Sequence, residues 1–145
     1  MTWAYQGDSL QPVFAGTFAS DQMAMYDALV NTVNEKILSR TDFSAVIPTG
    51  TAVQNARTSY FGDKLCKDTY HLNNLGKVIA AYTAWSKLTG QTVTEVKLQN
   101  PITTRDLPTP AVILTEDDKK VIVESVNNAI NNPYAITQSE FTKQP

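Results

Sequence analysis

The chain has 145 residues, of which 42% are hydrophobic and 18% charged, and a formal net charge of -2. That is about one domain, with enough apolar material for a real core, and it excludes a disordered chain. Lys and Arg are scattered with no basic run of five, which argues against nucleic acid or an anionic membrane as partner, and no apolar run approaches the ~18 residues of a spanning helix.

The amino-terminal stretch MTWAYQGDSLQ has neither the basic start nor the apolar centre of a signal peptide. The expectation is a cytoplasmic chain or one that has lost its leader. Within it WAYQ, Trp3 to Gln6, is short and aromatic and predicts a strand. A loop containing Gly, Pro and Ser follows, from Gly7 to about Ser20. Tyr26, Leu29, Val30, Val33 and Ile37 then fall on one face of a 3.6-residue repeat, a helix capped by Ser20 or Asp21. SAVIP, Ser44 to Pro48, is a compact apolar run ended by Pro-Thr-Gly and reads as a buried parallel strand entering a loop. Strand, helix and strand at this spacing predict a right-handed βαβ unit.

The next helix starts at Asn73 or Asn74. Leu75, Val78, Ile79, Tyr82 and Trp85 mark its buried face, and Gly90 stands where a left-handed stop is expected. TVTEVKL, Thr92 to Leu98, alternates and predicts an edge strand. Residues 100–110 hold three prolines and form a linking loop. The last helix begins at Thr115, with Asp118 in the capping-box position, Glu116 and Asp117 at the positive end, and Pro133 as terminator. The polar tail from Tyr134 to Pro145 is expected to lie over the surface. The element order is α/β, with about three strands, whereas an open sheet averages ~5 to 6. Part of the sheet is therefore expected to be missing.

Candidate chemistry concentrates at DTYHLNNLG, Asp68 to Gly76. A hydrolytic histidine must take a proton from a nucleophile and return it to the leaving group, with a carboxylate on its other nitrogen. Asp68 and His71, the single histidine of the chain, are close enough for one turn to join them. The alternative is a polar loop entering a helix. The single cysteine, Cys66, rules out an internal disulfide framework. With one Cys and one His, the chain falls short of the usual zinc ligand sets, so no metal and no cofactor is expected.

IPTGTAVQNAR (Ile47 to Arg57), DTYHLNNLG and a helix ending TAWSKLTG together resemble the carboxy-terminal half of SGNH/GDSL-type hydrolases. The resemblance is closest to a bacterial branch known as a domain of unknown function. It spans nearly the whole chain and includes TWAYQ, DQMAMYDALVNTV and LTEDDKKVIVESVNNAINNP in order. It implies a partial three-layer α/β/α fold, flavodoxin-like, with a short parallel sheet and about three main helices. Residues 1–133 would be the carboxy-terminal part of the domain and residues 134–145 a tail. It further implies Asp68 and His71 as acid and base of a triad acting on acyl or acetyl esters, small or carbohydrate-borne, and an extracytoplasmic home. One departure is Thr69, where many relatives have glycine.

GDSL, Gly7 to Leu10, offers Ser9 as a nucleophile. In the family the nucleophile follows the first strand, and the Asp-x-x-His block comes well over a hundred residues later. Here 61 residues separate Ser9 from His71, and WAYQ matches a late strand. Gly50 and Asn55 are candidate oxyanion donors that more naturally shape the loop after a strand. Arg57 is either an anion binder or a solvated loop charge. Trp3, Tyr5, Tyr60 and Tyr70 are candidates for a sugar-binding cleft, against a packing role. The leading expectation is thus a truncated chain carrying the catalytic base but not the nucleophile, which self-associates or pairs with a missing amino-terminal half. The alternatives are a non-enzymatic α/β module binding through a sheet edge, and a compact esterase using Ser9.

Overall fold

The structure, a computed structural model, describes residues 1–7, 21–98 and 112–143, and the statements below concern those residues. Four helices form. Helix α1, Gln22–Lys36, starts where Asp21 accepts the backbone N–H of Ala24 at 2.6 Å, and it buries Met25, Tyr26, Val30 and Val33. Helix α3, Asn74–Thr89, is capped by Asn73 and stopped by Gly90 at φ 71. Helix α4, Glu116–Asn131, carries the reciprocal capping box between Thr115 and Asp118 expected from the sequence. Pro133 follows directly after its last turn.

Helix α2, Thr49–Arg57, stands where a loop was expected. Pro-Thr-Gly looks like a turn after a strand, yet Pro48 occupies the N-cap and a buried helix follows. Its residues are small: Ala52, Val53 and Ala56 are fully buried. That smallness lets α2 approach α3 and α4 closely, and the three helices pack on one another. Leu65, Ile79, Val121, Ile122 and Val126 fill the space between them. Each such side chain contributes roughly 1.5–3 kcal/mol on leaving water. A second, smaller cluster joins α1 to the amino-terminal segment through Ala4, Met25, Tyr26 and Val30. The Tyr26 hydroxyl bonds Thr51 at 3.0 Å and ties α1 to α2.

The expected α/β sheet does not form. Among the described residues there is no strand ladder, and a single-residue antiparallel bridge joins Cys66 to Leu72. The reason lies in where the backbone groups of the three predicted strands go. In the amino-terminal segment, Ala4 carbonyl accepts from Arg57 at 3.0 Å, Tyr5 N–H meets Met25 Sδ at 3.4 Å, and Gly7 N–H meets Asp63 at 2.5 Å. SAVIP gives one carbonyl, that of Ile47, to the Met1 amino group at 2.7 Å. In TVTEVKL, Val93 exchanges two bonds with the Asn127 side chain, at 3.0 and 2.7 Å, and Lys97 N–H donates to Tyr82 Oη at 2.7 Å. Val93 and Val96 are its buried residues, a spacing of three rather than two. Side chains, the chain's own amino group and loop backbone take the place of a neighbouring strand. The protein is helical, and a partner-binding sheet edge has no ladder to stand on.

Two further expectations change. Trp85 is 42% exposed; the inner stripe of α3 runs through Ile79, Thr83 and Ser86 instead. Thr83 and Ser86 tolerate burial because their hydroxyls donate to the carbonyls of Ile79 and Gln91, at 2.7 and 2.6 Å. The tail also packs more than its polarity suggests. Phe141 lies against the main core, Ile136 against the smaller one, and Ser139 is buried. The loop with three prolines lies outside the described residues.

Candidate functional site

The segment from Leu65 to Asn73 is a narrow loop with its feet in the core. Leu65, Cys66 and Leu72 are buried. Lys67 N–H donates to His71 carbonyl at 2.9 Å, and Asn73 N–H to Leu65 carbonyl at 2.9 Å. Asn73 then starts α3, its Oδ1 accepting Gly76 N–H at 3.0 Å while its Nδ2 donates to Lys64 carbonyl at 2.7 Å. The tip, residues 67–71, is left projecting.

At the tip Asp68 and His71 meet. His71 Nδ1 lies 2.8 Å from Asp68 Oδ2. The other carboxylate oxygen accepts two backbone N–H groups, from His71 at 2.7 Å and from Tyr70 at 3.2 Å. The backbone N–H of His71, ahead of its ring, holds the Asp68 carboxyl down to about 2, so it is an anion throughout the neutral range. With Nδ1 engaged, Nε2 is the nitrogen turned away from the carboxylate. The two side chains are 46% and 53% exposed, so the pair stands on open surface.

An aromatic cluster adjoins it through Tyr70. The Tyr70 ring lies 4.0 Å from the imidazole, and Tyr5 meets Tyr70 edge-on at 5.8 Å. Trp3 Nε1 donates to Tyr70 carbonyl at 2.7 Å. The structure therefore brings Trp3, Tyr5 and Tyr70 together beside His71. Tyr60 is engaged elsewhere: its hydroxyl donates to Asp118 at 2.7 Å and its ring packs on Phe61.

The remaining sequence candidates separate clearly. Ser9 lies outside the described residues. Gly50 N–H donates to Met1 carbonyl at 3.2 Å, and Asn55 bridges Ser125 carbonyl and Thr137 N–H at 3.3 and 2.8 Å, so both are structural. Arg57 is no solvated charge. Its side chain is 5% exposed and pairs with Asp63 at 2.9 Å. It also donates to Gln54 and to Ala4 carbonyl. Burial pushes the Cys66 thiol up, away from the reactive thiolate. Among the described residues no three His, Cys, Asp or Glu side chains gather into a metal site. No helix among them is long and apolar enough to cross a membrane.

Sequence reasoning missed Asp63 and Gln6. Asp63 accepts from Gly7 and Gln22 and forms an ion pair with Arg57; Gln6 accepts Cys66 N–H at 2.9 Å. Neither belongs to a local motif, because each partner is far away in sequence or in a different element. Two grooves, of about 640 and 660 Å³, lie against α3 with residues 91–98 and against α4 with residues 137–141; neither is lined by Asp68 or His71.

Comparison with known proteins gives two findings. The model of a domain of unknown function, DUF4886, matches residues 1–107. A DUF4886 family protein from Bacteroides uniformis, known from a crystal structure, is 34% identical with a TM-score of 0.75. The match covers 98% of this chain and 50% of that one, so this chain spans about half the length of that relative. No curated protein matches the chain.

Proposed function

The chain belongs to the DUF4886 family, and on that premise we propose that it carries the acid–base half of an SGNH-like serine ester hydrolase. The observation that supports this reading is the 2.8 Å contact between His71 Nδ1 and an Asp68 carboxylate whose other oxygen is already held by two backbone N–H groups. Such a carboxylate fixes the Nδ1–H tautomer and presents the lone pair of Nε2 outward. Nε2 takes the proton of a serine hydroxyl as the serine oxygen bonds to the ester carbonyl carbon. It returns that proton to the departing alkoxide as the ester C–O bond breaks. Water then repeats the sequence on the acyl-enzyme. The anionic Asp68 stabilises the imidazolium formed between the two transfers.

The open position of the pair suits a site completed by further polypeptide. We place the nucleophile and oxyanion donors in the portion of longer relatives that this chain does not span. The exposed Tyr70 beside His71 suits an acyl or acetyl ester on a small molecule or carbohydrate. A fluorophosphonate probe tests the assignment. The longer Bacteroides uniformis relative is expected to label on a serine, and to stop labelling when its counterpart of His71 is alanine. Labelling of Ser9 in this chain, lost in His71→Ala, moves the nucleophile into it. No labelling of either protein overturns the reading.

A further inference from the structure

Resting on the reading of His71 as proton shuttle, we propose that the Trp3 side chain and the Gln6 backbone are positioning elements for it. They act through the two peptide groups that hold Asp68. The Tyr70 carbonyl and the His71 N–H belong to one planar peptide unit. Trp3 Nε1 donates to that carbonyl at 2.7 Å, and that N–H donates to Asp68 at 2.7 Å. The Thr69 carbonyl and the Tyr70 N–H form the preceding unit. Gln6 N–H donates to the former at 2.7 Å, and the latter donates to Asp68 at 3.2 Å.

Both donors that fix the carboxylate therefore sit in peptide planes gripped from behind by the amino-terminal segment. The grip continues at the loop's foot, where Gln6 Oε1 accepts Cys66 N–H at 2.9 Å. Tyr5 supports the ring of Tyr70, which in turn faces the imidazole. Lys67, Asp68, Tyr70 and His71 are exposed, so these bonds add to the loop's own in setting its geometry. The segment 3–6 is thus a template for the acid–base pair, although it supplies no reacting atom.

The chain has one histidine, so its imidazole tautomer is read without ambiguity by nitrogen–proton correlation NMR. Carbon-detected titration of the Asp68 carboxyl gives a second readout that a loss of global stability alone does not move. The wild type is expected to carry its proton on Nδ1. Trp3→Phe keeps an aromatic ring but removes the N–H. It is expected to raise the Asp68 midpoint by roughly half a pH unit or more and to mix the tautomers. Gln6→Pro, which removes the backbone N–H that holds the Thr69 carbonyl, is expected to act in the same direction, and it decides alone if Trp3→Phe does not fold. Trp85→Phe, on the exposed face of α3, is expected to change neither. Unchanged midpoint and tautomer in the folded variants overturn the positioning role and leave the shuttle reading standing. A wild-type ring with its proton on Nε2 overturns the shuttle reading itself.

Discussion

Asp68 works as an anion, and its environment fixes when it stops being one. The carboxyl titrates at about 2 in the folded chain, against ~3.9 for an ordinary aspartate. A depressed folded value means that its contribution is complete above the unfolded value and is lost as pH falls toward 2. The loop is therefore expected to open between about pH 4 and pH 2. Trp3 is a natural reporter, since its indole donates to the same loop. In a Trp85→Phe background, Trp3 emission should change over that window, and Asp68→Asn should abolish the transition. A flat emission profile in the wild-type loop would contradict the assignment. The pair itself was legible because three residues of separation are enough for one turn to bring a carboxylate to an imidazole. Its support was not, because Trp3 and Tyr70 are 67 positions apart and nothing in either neighbourhood announces the other.

Helices were readable to the degree that they carry end signals. Thr115 with Asp118, Asp21, Asn73 and Gly90 each do in the structure what their chemistry predicts, because caps act within three or four residues. Helix α2 escaped because its apolar residues are small and its start imitates a turn. The strand readings failed for a related reason. β-prone composition reports a half-buried extended segment, and side chains, the amino terminus and loop backbone satisfied these segments in place of neighbouring strands. Gly76 shows how tightly α3 abuts the site loop. A Cβ there would lie 2.5 Å from Leu65 carbonyl and 2.9 Å from Leu72 Cδ2. Gly→Ala within a helix ordinarily stabilises by up to ~1 kcal/mol. Here Gly76→Ala is expected to cost about 1–3 kcal/mol, as overpacked sites do. Urea denaturation measures it, and a raised midpoint would show that the loop yields freely.

At the scale of the whole molecule, one buried cation connects pieces that would otherwise be independent. Arg57, at the end of α2, bonds Ala4 carbonyl and pairs with Asp63. Asp63 in turn accepts from Gly7 and from Gln22 of α1. Removing one partner leaves the other charge uncompensated, which costs about 3–5 kcal/mol in a fully buried pair. Asp63 retains some solvent, so Asp63→Asn is expected to cost about 2–3 kcal/mol in a denaturant melt. It should also release the amino-terminal segment, visible as faster amide exchange at Gln6 and Gly7. A loss within a few tenths of a kcal/mol would show that water replaces the carboxylate. This node could not be inferred from spacing, since charge counts along a sequence do not say which guanidinium is buried.

The paired grip of Trp3 and Gln6 on successive peptide units bears on anyone who would transplant this acid–base pair into another scaffold. The nine residues from Leu65 to Asn73 would arrive as a floppy graft, with the right letters and the wrong angles. A working transplant has to move two strings of sequence together, and the one without any reactive group is the jig on which the other is set.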